Sequence, residues 1–321
     1  MIVVCGEALV DLVPQSGESG PGQWRAVPGG GPANTAVALS RLGAPAALLA
    51  RLSGDAFGRQ IRAHLVERGV DLSLAVAATE PTTLAVVALG PSGGAEYAFY
   101  LEGTADWAWR AEELPEPSSL VSAVHVGSLA AVVAPGAQRL RDWARAQGQS
   151  SVVCYDVNAR PAVGLDRAET AAQAREWMDL AHIVKVSDED LAWLEPGRDP
   201  LVTAERWVVR HELDLLLLTR GGEGATALSA HWGEHVTVPG VPVTVRDTVG
   251  AGDTFGAAVL ARLDDLGRLG DPARLAELDA EAVREVLRFA TAAAALACTT
   301  EGADPPDRFQ VEALLKEAAP A

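Results

Sequence analysis

Residues 152–219 read Val152-Val153-Cys154-Tyr155-Asp156, then a helical stretch, then His182-Ile183-Val184-Lys185, a second helical stretch, and Leu215-Leu216-Leu217-Leu218-Thr219. Short β-branched or leucine-rich runs separated by amphipathic segments are the pattern of strands buried on both faces and joined by helical crossovers. Outward from there, similar runs recur at residues 2–5, 46–51 and 123–127. The expected fold class is α/β, a mostly parallel sheet with helices on both faces.

Two regions break the rhythm. Residues 83–89 and 95–101 are strand-like and joined by Gly90-Pro91-Ser92-Gly93-Gly94, which reads as an antiparallel hairpin. Residues 14–31, rich in Gly, Pro and Ser, follow the first strand where a connection of a few residues is usual. Segments 14–28 and 83–107 are expected to build a small antiparallel β lid on a single domain spanning 1–321, since no linker, repeat or long charge block divides the chain.

Hydrophobic residues make up 49% of the 321 and charged residues 21%, enough apolar side chains for a sizeable core. With 26 basic and 43 acidic residues the net charge is -17, which repels phosphate backbones and anionic lipid; nucleic acid and membrane are therefore rejected as partners. Only two of the basic residues are lysines, Lys185 and Lys316, so no Gly-Lys-Ser/Thr phosphate loop exists and an anionic ligand must be met by backbone dipoles. Cys5, Cys154 and Cys298 lie in apolar stretches without disulfide or metal spacing and read as buried thiols in a reducing compartment. The chain starts directly on a strand and has no apolar run near about 18 residues, so the expected location is cytoplasmic.

Two glycine clusters carry the chemistry. Gly29-Gly30-Gly31-Pro32-Ala33-Asn34 leads into a helix over 35–42 stopped by Gly43. Successive glycines let a backbone approach a ligand, and Pro32 suits a first turn. The cluster fits either a polar ligand held by amides and Asn34 or a plain tight loop. The second cluster is Asp247-Thr248-Val249-Gly250-Ala251-Gly252-Asp253-Thr254-Phe255, entering an apolar helix over 256–266. Gly-Ala-Gly at a helix start leaves first-turn amides unpaired, which is an anion site. Asp253 in that turn serves the helix dipole or, beside a bound phosphate, takes a hydroxyl proton.

In order and spacing these clusters resemble the two signatures of the ribokinase-like (PfkB) carbohydrate kinase family. The similarity spans nearly the whole chain and includes Gly6-Glu7-Ala8-Leu9-Val10-Asp11, Pro81-Thr82-Thr83-Leu84-Ala85, Thr219-Arg220-Gly221-Gly222-Glu223-Gly224, and Phe289-Ala290-Thr291 through Gly302-Ala303-Asp304-Pro305. The resemblance implies ATP-dependent phosphorylation of a sugar hydroxyl, with Asp253 as base and the amides of Gly250, Ala251 and Gly252 as the anion hole. It assigns sugar contacts to Asp11, Gly30, Gly31 and Asn34, the nucleotide loop to Thr219, Gly221 and Gly224, and the adenine border to Thr291. The family's Asn-x-x-Glu appears as Ser187-Asp188-Glu189-Asp190, which puts Ser187 near the phosphates and Asp190 near water-bound Mg2+. Asp247 fits the site where members bind a monovalent cation such as K+, although Pro306 replaces a hydroxyl ligand of some ribokinases.

Gly-Pro-Ala-Asn and Pro-Thr-Thr-Leu-Ala are closer to fructokinases than to ribokinases, and a homodimer through the lid is expected. Asp156-Val157-Asn158-Ala159-Arg160-Pro161 is similar to a motif of fructokinases and 2-keto-3-deoxygluconate kinases, so Arg160 meets a sugar hydroxyl or carboxylate unless it forms a structural salt bridge. The rivals are 2-keto-3-deoxygluconate kinase, nucleoside kinase and a catalytically silent binding protein. His231 and His235 lack the zincin order and read as loop or edge strand. Trp107 and Trp109 read as packing, and Arg139, Arg141 and Arg145 as a solvated helix face.

Overall fold

The computed structural model describes residues 1–15, 23–89 and 95–317. The chain opens with β1 (Ile2–Cys5), β2 (Leu9–Pro14), β3 (Trp24–Gly29), α1 (Gly31–Arg41), β4 (Ala46–Leu49), β5 (Arg51–Ser53), α2 (Ala56–Glu67) and β6 (Val76–Ala78). The hairpin β7 (Leu84–Leu89) and β8 (Ala95–Tyr100) precedes the repeating part: β9 (Ala123–Gly127), α3 (Gly136–Gln147), β10 (Val152–Asp156), α4 (Arg167–Met178), β11 (Ile183–Ser187), α5 (Asp188–Leu194), α6 (Pro200–His211) and β12 (Leu215–Thr219). After β13 (Ala225–Leu228) and β14 (Val236–Val238) come α7 (Ala251–Asp265), α8 (Ala280–Ala297) and α9 (Arg308–Glu317).

Eight strands form the main sheet in the order β14-β13-β12-β11-β10-β9-β1-β4, parallel from β12 to β4 and antiparallel at β13 and β14. Alternation along β1 sends Ile2 and Val4 into one core and Val3 and Cys5 into the other. The first core meets Leu39 of α1, Leu260 of α7 and Leu287 of α8, while the second meets Trp143 of α3, Trp177 of α4 and Trp207 of α6. A strand covered on both faces needs apolar residues at every position, which explains the unbroken runs in the sequence. Among the described residues no helix is long and apolar enough to cross a membrane.

The lid is a four-stranded sheet in the order β3-β2-β7-β8. Its outer pairs, β2–β3 and β7–β8, are antiparallel, but β2 and β7 pair in parallel, with Val10 opposite Leu84 and Asp11 opposite Ala85. The expected antiparallel lid is present, with one parallel pair at its centre that no turn in the sequence betrays. Of the two lid segments, residues 16–22 and the hairpin turn at 90–94 lie outside the described residues.

Several smaller expectations resolve at this level. Trp107, in a short 3-10 turn, and Trp109 are buried and pack in the second core. Arg141 departs from the solvated face: it is buried, and its guanidinium lies 2.6 Å from Glu176 of α4, which packs beside α3. Arg139 and Arg145 are exposed as expected, Arg139 donating to the Trp109 carbonyl at 2.6 Å and Arg145 pairing with Asp142 at 3.2 Å. Cys5 and Cys154 are buried, whereas Cys298, following α8, is only half-buried. His231 and His235 precede the edge strand β14 and pair with Asp214 and Glu205 at 2.8 and 3.3 Å.

Arg51 ties the main body to the segment leaving the lid. Only 2% exposed, it lies 3.1 Å from Glu80 and 3.0 Å from Glu113 and donates to the Ala105 carbonyl at 2.8 Å. Removing one partner of a buried pair strands charge in a poor solvent. Arg51→Leu is therefore expected to lower unfolding free energy by about 3 to 5 kcal/mol, measured by chemical denaturation; an unchanged midpoint would refute this role.

Candidate active site

The site forms where α1 and α7 bring their amino termini side by side. Before α1, Gly30 holds φ 107°, and a Cβ there would fall 2.7 Å from the Glu7 carbonyl. Before α7, Gly250 holds the left-handed φ of 76°. Neither helix has a side-chain cap. In α7, Thr254 N–H donates to the Gly250 carbonyl at 2.8 Å and Ala251 N–H to the Thr248 carbonyl at 3.2 Å. Among the described residues the amides of Gly250, Gly252 and Asp253 have no acceptor. Of the three amides expected in the anion hole, that of Ala251 is thus already engaged, and the amide of Asp253 joins the free donors. The helix also begins five residues before the apolar stretch at 256–266, which places Asp253 inside its first turn.

Asp253 Oδ2 accepts a hydrogen bond from Asn34 Nδ2 at 2.9 Å, joining the two helices. A Cβ on Gly31 would lie 3.3 Å from Asp253 Oδ1 and 3.2 Å from Asn158 Nδ2, so Gly31 keeps a narrow gap between them open. Burial raises the Asp253 pKa, opposed by the Asn34 hydrogen bond and by the charges of Lys185 and Arg160. The result is a carboxylate more basic than usual that is still held in one orientation.

The expected sugar contacts gather on the lid side. Asp11, on β2, is half-buried, has no hydrogen-bond partner among the described residues, and is pushed up to about 6 by burial against the opposing charge of Arg160. A Cβ on Gly29 would overlap its carboxylate. Exposed Arg160 donates only to its neighbour's carbonyl, Ala159 at 3.3 Å, and has no ion pair among the described residues, so the salt-bridge alternative lacks a partner.

Thr219, Gly221, Gly224 and Thr291 line a cleft of about 370 Å³ together with Gly252 and the half-buried Cys298. Thr291 spends its hydroxyl on the carbonyls of Leu287 and Arg288 at 2.9 and 3.1 Å, so only its apolar surface is free to face a ligand. A groove between α4 and α6 near Arg175 and His211 is larger, about 480 Å³, but shares no residue with these elements.

Ser187 and Asp190 form a capping box at α5: Asp190 N–H donates to Ser187 Oγ at 3.0 Å and Ser187 N–H to Asp190 Oδ2 at 3.1 Å. Asp190 Oδ1 also accepts from Ala159 N–H at 2.9 Å. Both carboxylate oxygens are committed to backbone amides, and Asp190 is only 9% exposed. No group of three or more His, Cys, Asp or Glu that could hold a metal occurs among the described residues. Asp190 thus holds the amino terminus of α5, with lone-pair capacity left on each oxygen for a water of the kind expected to sit on Mg2+. Asp247 accepts from Val249 N–H at 3.1 Å and Gly302 N–H at 2.8 Å through separate oxygens, each keeping lone-pair capacity toward a cation.

Sequence reading passed over several neighbours of the site. Buried Glu7 and Asp106 accept from the amides of Ala130 and Ala8 at 3.0 and 2.9 Å and fix the loop against which Gly30 rests. Burial, joined for Glu7 by the Asp106 charge, raises each pKa to about 7. Asn158 sits within the Asp156–Pro161 motif and holds φ 37°, in the left-handed region that Asn enters more readily than most residues. Lys185 offered a further signal, as one of only two lysines.

Residues 1–308 match the pfkB family carbohydrate kinases. A fructokinase of Rhizobium leguminosarum bv. trifolii is 36% identical over 284 residues, covering 88% of this chain and 86% of that one. The structure of a Xylella fastidiosa fructokinase with bound ATP superposes with a TM-score of 0.88 at 30% identity over 98% of both chains. A Vibrio cholerae O395 fructokinase bound to fructose, ADP and calcium gives 0.82 at 26% identity over 98% of both.

Loss of the capping box should register as stability. Asp190→Ala is expected to cost about 1 to 3 kcal/mol in denaturation and to raise the Mg2+ requirement of any activity. An unchanged denaturation midpoint would refute the capping role, and an unchanged Mg2+ titration would refute a place near water-bound Mg2+.

Proposed function

The chain belongs to the pfkB family of carbohydrate kinases, and from that premise we propose that it is a fructokinase, moving the γ-phosphoryl group of ATP to a hydroxyl of fructose. The observation that carries this is Asp253, basic and clamped by Asn34 where two uncapped helix termini converge. A fructose hydroxyl beside Asp253 gives up its proton to the carboxylate as its oxygen attacks the γ-phosphorus and ADP departs. The amides of Gly250, Gly252 and Asp253, with the Ala251 turn, receive the charge of the transferring group.

Asp11, Asn34 and the backbone of Gly30 and Gly31 hold the sugar, with Arg160 at its rim. Thr219, Gly221, Gly224 and Thr291 line the nucleotide cleft, and Ser187 stands at the end of the neighbouring strand. Mg2+ belongs to the arriving nucleotide rather than to a resident site, and K+ is assigned to Asp247. Fructose as acceptor is supported by the relatives, and three free cysteines accord with a cytoplasmic enzyme; pairing of two copies through the lid completes the proposal.

An ADP-release assay over fructose, its 1- and 6-phosphates, ribose, 2-keto-3-deoxygluconate and nucleosides is expected to give fructose the highest kcat/KM. A better acceptor in that set would overturn the substrate, with 2-keto-3-deoxygluconate the outcome that unpaired Arg160 would then explain. Asp253→Asn should lower kcat about 10²- to 10⁴-fold with the fold intact; turnover within threefold of the original would remove Asp253 as base.

Asp11 gives the sugar site its own pH signature. The ionised carboxylate accepts sugar hydroxyls with charge assistance, and protonation below about 6 removes it. The KM for fructose should accordingly rise as pH falls through 6, and Asp11→Ala should raise it roughly 5- to 150-fold at pH 8 with little change for ATP. Parallel pH profiles of KM in the two proteins would contradict the assignment.

A further inference from the structure

Lys185 is one of only two lysines in the chain and is buried, which is costly for an ammonium without compensation. Compensation comes from the next strand. Lys185 on β11 is the register partner of Asp156 on β10, and its Nζ donates to Asp156 Oδ1 and Oδ2 at 3.1 and 3.0 Å. Positions inside an apolar sheet are ordinarily filled with apolar side chains, so an ion pair between mid-strand Lys185 and the end of β10 calls for a cause beyond packing.

The cause lies on the other side of the ammonium. A Cβ placed on Gly252 would fall 2.9 Å from Lys185 Nζ, so the charge touches the first turn of α7 directly behind the free amides. Three carboxylates, Asp156, Asp190 and Asp253, act on Lys185 and keep it protonated despite burial. Without it they would face an incoming triphosphate with no fixed buried cation to oppose them, since Arg160 is exposed.

Resting on the kinase reading above, we propose that Lys185 is a positioning residue for phosphoryl transfer, its ammonium locked by Asp156 behind Gly252 as the fixed positive charge against which the phosphoryl group and Asp253 are balanced. Glycine at 252 is then required for the approach of that charge as well as of the phosphate. The groups facing Asp253 are Asn34 of α1, Lys185 of β11, Asp156 of β10 and Arg160 beyond it. Asp190 of α5 and His125 of β9 reach the cluster through Lys185; His125 is buried, its Nδ1 unpartnered and its pKa held down to about 3 by burial and the Lys185 charge.

The test uses opposite charge changes at adjoining positions. In Lys185→Met, kcat with ATP and fructose should fall about 10- to 1000-fold, with sugar KM within threefold. The acidic limb of its kcat profile should move up by about one pH unit or more, because Asp253 loses a positive neighbour. In Asp156→Asn the limb should move down, because Asp253 loses a negative one, and Lys185→Arg should keep it near its original position. A merely structural ion pair would lower thermal stability in the first two and leave their limbs superimposed on that of the unaltered enzyme, and that result overturns the proposal. If Lys185→Met does not fold, the direction of the Asp156→Asn limb decides alone. If the unaltered chain phosphorylates no sugar, the kinase reading fails separately, and the Asp253 carboxyl titration followed by 13C NMR without substrate must still show the opposed shifts.

Discussion

Two helix amino termini side by side repel one another, since each concentrates about half a positive charge on its unpaired amides. In this chain α1 and α7 are set in that arrangement with no capping side chain at either. Asp253 is the anion that makes it tenable, and Asn34 fixes its orientation by reaching across from α1. The residual positive field is what a phosphoryl group requires. Packing of α1 against α7 in the first core therefore fixes more than stability, because any rotation of either helix would misalign the free amides and Asp253 on which the proposed transfer depends.

The remaining groups arrive by a single geometric rule. In a parallel sheet the crevice beyond the carboxyl ends of the strands is lined by whatever residue finishes each one. Asp156 ends β10, Ser187 ends β11 and Thr219 ends β12, while Ser128 follows β9 and Glu7 lies just past β1. Neighbouring strands in register set these residues side by side, which is how Lys185 meets Asp156 and Ser187 stands opposite Thr219. Asp11, by contrast, is carried on β2 of the lid sheet, where the proposed sugar contacts lie.

What the sequence disclosed follows from how locally each feature is encoded. Doubly buried strands declare themselves as apolar runs, and the hairpin β7–β8 by the turn between them. The glycine clusters were legible because a ligand cradle needs small residues in succession. Features that depend on two distant segments were not. The parallel β2–β7 contact has no connecting turn, the burial of Arg141 depends on α4 lying beside α3, and the capping duty of Asp190 depends on the amide of Ala159 arriving from another loop. The Lys185–Asp156 pair is of the same kind, since 29 residues of chain separate two side chains that only the sheet register brings together.

The same topology fixes the order in which the chain can be completed as it leaves the ribosome. β1 is made before every other strand of the sheet, yet it lies inside it, with Ile2 paired to Ala46 on one side and to Ala123 on the other. Its second neighbour does not exist until β9 has been synthesised, and β2 waits for β7 in the same way. Loop closure over such separations delays pairing. The amino-terminal strands thus spend the early part of synthesis as open apolar edges, the period in which a nascent chain of this fold depends most on chaperone protection.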